Sequence, residues 1–367
     1  MPGSPEHRRP ARPTTAIDPA ADPSARPPGA GPPIRVRDTA ELIAMVPALM
    51  GFHPRESLIL ITTGGPSGRR VGLTLRADLP PPALRGLLVA DVVGSVLVDG
   101  PAGVAVIVLA APGSGTGPPH AELVDDLVEA LAEVDVEAHT VVWAAGTAAG
   151  APWACYGPCH CSGRLPDPAS TVYAAAVVAE GQVIHADRAE MERVVAPVDP
   201  ERIRRREALL VARHDAALQG PDPVAGTADG LAAVDAAIAA VAAGELDLDD
   251  DTAGELAVAL SDPRVRDAAL LRNVGSSAAA AERLWALLCR ELPDPESAEP
   301  AALLAASALL RGHGALANIA LDRAERAWPG HRLTRLLRQA AAAGVRPTEF
   351  RRWLVGGPGS EHPGRAR

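Results

Sequence analysis

The densest group of metal-ligating side chains in the chain is Cys155-x3-Cys159-His160-Cys161. Thiolates and imidazole are the donors that zinc takes in tetrahedral sites, so Cys155, Cys159, His160 and Cys161 could supply three or four ligands to one zinc ion. The gaps of three and one residues differ from the two-residue spacing of the common zinc knuckle, and no second Cys/His pair stands at finger distance. His139 or His185 could complete such a site. A redox-active thiol pair and ordinary loop cysteines are the other readings of the same residues. Cys289, among Leu284, Trp285 and Leu288, reads as core. A metal held in this loop fits a structural role better than a catalytic one.

A second group is His53, Glu56 and Ser57. The three lie too close together to orient one another as base, orienter and nucleophile, and no nucleophile-elbow glycines surround Ser57. They read as a turn leading into a strand, with His53 and Ser57 as candidates to line a pocket. The glycine-rich stretch from Gly113 to Gly117 sits where a phosphate loop would sit, but Pro118 and Pro119 have no amide proton to donate, so it reads as a connector. Asp247 to Asp251 lacks the spaced oxygens of a calcium loop and reads as acidic residues ahead of a helix N-terminus. Arg202, Arg204, Arg205 and Arg206 read as a solvated helix face, paired with nearby glutamates.

Composition removes several chemistries. The chain has no lysine among its 35 basic residues, which excludes a Schiff-base lysine and a lysine-ended phosphate loop. Aromatics are 2% of the residues and the formal net charge is −10, a poor basis for base stacking or for attraction to nucleic acid or an anionic membrane. Four cysteines in 367 residues do not make a disulfide scaffold. With no secretory leader and no apolar run of membrane-spanning length, the expectation is a cytoplasmic protein with reduced thiols.

The elements that must position these groups follow from periodicity. Residues 1–33 are a Pro-rich segment that reads as a disordered tail. Residues 34–199 read as an α/β domain, a mixed sheet with flanking helices. A short helix at 39–46 is disturbed by Pro47, and strands are predicted at 57–62, 71–77, 104–109 and 138–145. A helix follows Pro82, and a second, with Leu123, Leu127 and Leu131 on one face, runs to Val134. Within this domain, 151–169 reads as a Cys-rich loop. A helix started by Ser170 or Thr171 and another capped by Asp187 follow. A long helix and linker occupy 200–229, an all-helical region of hairpins 230–355, and a disordered tail 356–367. Leu304, Ala308, Gly312, Ala317, Leu321, Ala324 and Pro329 have the spacing of one tetratricopeptide-like repeat, which reads as a helical hairpin closing a domain.

The segment Val46-Pro-Ala-Leu-Met-Gly-Phe-His-Pro-Arg-Glu-Ser-Leu-Ile59, followed by Leu75-Arg-Ala-Asp-Leu79, resembles the opening signature of an uncharacterised actinobacterial family, domain of unknown function family 4192. The cysteine loop from Trp153 to Gly163, Val265-Arg-Asp-Ala-Ala269, and Gly312-x-Gly-Ala-Leu-Ala317 running on to Pro329-Gly-His331 are similar to later landmarks of that family. The resemblance covers about residues 34–350 and implies an intracellular protein of this build. No activity is attached to it.

Two functions are therefore expected. The first is a non-enzymatic interaction or regulatory protein, with another protein docking on the helical C-terminal region and no nucleic-acid or membrane partner. The alternative is a metal-assisted hydrolase using residues 51–57 and the Cys155 to Cys161 loop, with zinc as the metal. The absence of a convincing catalytic set favours the first.

Overall fold

A computed structural model describes residues 36–356 apart from 37, 66, 67, 69, 114, 116, 218–222 and 246. The N-terminal tail, all of the C-terminal tail beyond Gly356, and Ser114 and Thr116 of the glycine-rich stretch lie outside the described residues. Helices α1 (Thr39–Ala44) and α2 (Val46–Met50) come first, with Asp38 accepting the amide of Glu41 and Gly51, at φ +76°, closing α2. Strand β1 (Ser57–Gly64) forms a hairpin with β2 (Arg70–Asp78). Helix α3 (Arg85–Val98) leads to β3 (Gly103–Leu109), and α4 (Ala121–Glu133) leads to β4 (Glu137–Ala144), parallel to β3. Two short strands, β5 (Pro152–Cys155) and β6 (Ser162–Arg164), extend the sheet antiparallel, in the order β2-β1-β3-β4-β5-β6.

The apolar runs at 57–62 and 104–109 are continuous because both sheet faces are covered. Leu58, Leu60, Val104, Val106, Val108 and Trp143 face α3 and α4, meeting Val92, Val96, Leu127 and Leu131. Their neighbours Ile59, Ile61, Ala105, Ile107, Leu109, Val142 and Ala144 point the other way, into a larger core with Ile43, Val46, Met50, Phe52, Met191 and Val195. One residue of register slip would exchange the two sets, so the double burial fixes the pairing.

The chain between 151 and 169, read as a loop, holds β5 and β6. Short edge strands opened by a proline and containing a glycine carry little strand propensity of their own. Pairing makes them strands: β5 joins β4, with Cys155 opposite Val142 and Trp153 opposite Ala144, and β6 joins β5.

Helices make up the rest: α5 (Val172–Ala179), α6 (Arg188–Glu192), α7 (Pro200–Ala217), α8 (Pro223–Ala243), α9 (Asp250–Ser261), α10 (Pro263–Leu270), α11 (Ala278–Glu291), α12 (Ala298–Arg311), α13 (Gly314–Ala327), α14 (Arg332–Ala342) and α15 (Pro347–Gly356). Side chains of Thr171 and Asp187 cap α5 and α6. The described residues belong to one compact unit, and the larger core continues from the sheet through α8, α9, α11, α12 and α13 to Phe350. Helix α12 is buried along almost its whole length, packed by α11 and α13, and ends at Gly312 in the left-handed region. Buried Trp285 donates to Asn273 Oδ1 at 2.9 Å, and Asn273 donates to the carbonyl of Leu303 at 3.2 Å, so no polar atom of this pair is left without a partner.

Helix α8 carries one window, Gly226–Ala243, long and apolar enough to cross a bilayer by length and composition. Val234, Ala237, Ile238 and Val241 of this window are buried in the core, and Asp235 pairs with Arg272 at 2.7 Å.

The arginine stretch on α7 is not a uniformly solvated face. Arg206 is 2% exposed. Its Nε reaches Asp250 Oδ1 at 2.9 Å, one terminal nitrogen reaches Glu291 Oε2 at 2.6 Å, and the other donates to the carbonyl of Leu248 at 2.5 Å. The acidic run at 247–251 supplies the counter-charges: Asp249 caps α9 through the amide of Thr252, Asp250 also takes Arg205, and Asp251 takes Arg213.

Candidate metal centre

The β5–β6 hairpin stands at the sheet edge, and its tip carries the cysteines. Cys155 ends β5 and its amide donates to the carbonyl of Cys161 at 2.8 Å, which closes the tip. Between them Gly157 and Pro158 turn the chain, and His160 sits at φ +48° with its amide on the carbonyl of Gly157 at 3.3 Å. This return brings the amide of Cys161 to 3.5 Å from Cys159 Sγ. At the base of the hairpin Gly163 leaves room for the Trp153 indole, since a Cβ there would stand 2.9 Å from its Nε1. Tyr156 donates its hydroxyl to the carbonyl of Pro119 at 2.5 Å, tying the tip to the loop before α4.

The sulfurs of Cys155, Cys159 and Cys161 all lie within 4.8 Å of one another, and none is in a disulfide. Zn–S bonds of ~2.3 Å in a tetrahedron put sulfurs about 3.8 Å apart. Small rotations of side chains, two of them exposed, separate the observed spacing from a zinc-ready one. The thiols are electrostatically unequal. Burial, with the neighbouring thiols, pushes Cys155 up to about 12. Cys159 is held below the usual thiol range because the Cys161 thiol, the Cys161 amide and the Cys155 thiol donate to it. Cys161, the donor to Cys159, is raised. The metal-free site is thus one favoured thiolate with two thiols turned toward it. A bound dication would reverse that order and deprotonate all three.

His160 stands exposed on the same turn and its ring is not part of the cluster. The two more distant imidazoles are placed elsewhere. His139 lies beside Thr63 Oγ1 at 3.2 Å, and His185 is joined to Gly51 and His53 through its backbone.

His53 and Ser57 belong to the entry of β1, separated from β5 across the sheet by β3 and β4, with the register running Ser57, Leu109, Ala144, Trp153. Ser57 has no exposed surface; its hydroxyl donates to the carbonyl of Arg55 at 2.6 Å and accepts Arg76 Nε at 3.0 Å. His53 Nδ1 is 2.8 Å from Thr147 Oγ1, and burial followed by the Arg55 charge holds its imidazole below the usual range. Glu56, at φ +42°, accepts the amide of Ala111 at 2.9 Å. The Ser57 hydroxyl, His53 Nδ1 and Glu56 Oε1 are thus engaged in holding the entry to β1.

Sequence reasoning missed the frame of the centre, the β5–β6 pairing and the Trp153–Gly163 contact. Gly163, opposite a tryptophan two residues before Cys155, was the available signal. Compared with known proteins, residues 40–348 match the model of a family described as domain of unknown function (DUF4192). No curated protein and no solved structure matches the chain.

Proposed function

The chain belongs to the DUF4192 family, and we propose that it is a zinc-binding, non-enzymatic interaction or regulatory protein of a reducing compartment. The observation that carries this reading is the convergence of three thiols within 4.8 Å on an exposed hairpin tip. Zinc there would lock the tip and leave a fourth position, to be closed by His160 swinging inward or by a side chain of a protein partner. The helical hairpins beyond residue 230 are the surface proposed for such a partner. Elemental analysis of untagged protein, purified under reducing conditions without chelator, tests the metal. About one zinc per chain is expected, lost together with thermal stability in Cys159→Ser and Cys161→Ser. A metal-free protein of equal stability would reject the reading.

The three-ligand count also suits a metal-assisted hydrolase, because catalytic zinc keeps one position for water. Zinc-dependent cleavage of an activated ester, abolished in Cys159→Ser, would favour this second reading over the first.

A further inference from the structure

Helices α6 and α13 pack together, and beside their contact lies a cleft of about 480 Å³ lined by Ala189, Glu192, Arg193, Asp294, Arg323 and Arg326, among others. Its carboxylates are already satisfied. Glu192 accepts Arg188 Nε at 2.9 Å, and Asp294 takes Arg323 at 2.6 Å as well as the hydroxyl of Ser297. The adjoining hollow of about 430 Å³ repeats the pattern: Asp322 takes Arg338 at 2.6 Å, and Glu325 accepts the amide of Gly330 at 3.0 Å.

The donors are not satisfied in the same way. Arg323 is 5% exposed, yet its Nε has no hydrogen-bond partner. Arg326 gives only Nε, to the carbonyl of Asp322 at 3.2 Å, and among the described residues neither Arg326 nor Arg193 forms an ion pair. Arg193 and Arg326 are exposed and hydrated, whereas Arg323 Nε is a buried donor whose hydrogen bond is left unmade, and that is costly.

We propose that this cleft binds a small-molecule oxyanion, a phosphate ester or a carboxylate, clamped by Arg193, Arg323 and Arg326. Three guanidiniums and two carboxylates line the cleft, and although Arg326 also acts on Asp294, the excess charge is positive, which favours an anion. Planar guanidinium forks match the oxygens of both oxyanions. The volume falls in the range of about 300–1,000 Å³ typical of small-molecule sites. The site lies apart from the thiol cluster in residues and chemistry, and the proposal stands independently of zinc.

Titration calorimetry and thermal shift with inorganic phosphate and with succinate, at ionic strength matched by sodium chloride, provide the test. Saturable binding is expected, accompanied by a raised melting temperature. Arg193→Ser and Arg326→Gln, both at exposed positions, should each weaken it about tenfold or more, with unchanged circular dichroism. Preference for phosphate assigns a phosphate ester, and preference for succinate a carboxylate. Saturable binding of neither anion, or binding unchanged in the Arg193→Ser/Arg326→Gln double variant, overturns the proposal.

Discussion

Arg205 and Arg206 are neighbours on α7 that share Asp250, so replacing each with alanine isolates what burial contributes. Arg205 is 57% exposed, and its pair with Asp250 is screened by water. Arg206 is 2% exposed and joins three elements: α7 to Asp250 on α9, to Glu291 on α11, and to the carbonyl of Leu248. Its removal strands Glu291, itself 8% exposed, with Arg202 at 3.3 Å as its remaining ion-pair partner. Breaking a buried pair from one side costs about 3–5 kcal/mol, a factor of roughly 150 to 5,000 in the unfolding equilibrium. Urea denaturation followed by tryptophan fluorescence and by circular dichroism measures it, with coincident transitions required before a free energy is extracted. Arg206→Ala should fall in that range and Arg205→Ala should barely shift the midpoint. Adding Glu291→Gln to Arg206→Ala should recover part of the loss, because the stranded charge is then gone. Equal losses for the two arginines, or a loss below about 1 kcal/mol for Arg206→Ala, would refute the reasoning that burial decides the difference.

Alkylation of metal-free protein near pH 7.5 should modify Cys159 first, because its thiolate is favoured, and Cys289 last, since burial pushes that thiol up to about 12. Peptide mapping that found Cys289 or Cys155 reacting as fast as Cys159 would contradict the assigned thiolate. In acid, Asp250 and Asp262 are both held down to about 2, the first by Arg205 and Arg206, the second by Arg264. A depressed carboxyl contributes stability that is complete above its unfolded value of 3.8 and is lost as the pH falls towards 2. Urea midpoints at pH 5, 3 and 2 should therefore drop steeply, and the drop should be shallower in Asp250→Asn, whose titration is removed.

Strands β1 to β4 and helix α4 were legible because their signals are local. An apolar run of strand length and a 3.6-residue repeat such as Leu123, Leu127 and Leu131 need no distant partner to be recognised. The same locality explains why the thiol cluster was legible: Cys155, Cys159 and Cys161 span seven residues, so no fold could carry them far apart. The place of His160 was not, since it depends on one backbone angle at φ +48°. Burial of Arg206 was equally hidden, its partners being 44 and 85 residues onward. Nor does any periodicity join Arg193 to Arg323; the contact of α6 with α13 does so.

The two sides of the central sheet are completed at different moments in the life of the chain. Everything that covers Leu58, Val106 and Trp143 is made by the time β5 and Tyr156 leave the ribosome. The opposite side, with Ile59, Ile107 and Val142, belongs to a core whose members extend to Leu321 and Phe350. At a synthesis rate of about 5–20 residues per second, that interval is on the order of ten seconds or more. During it the nascent sheet is a half-finished sandwich with one wet, greasy surface, open to holding by a chaperone or to pairing with its own copies. The helical part, whatever it binds in the finished protein, acts first as the lid that ends this exposure.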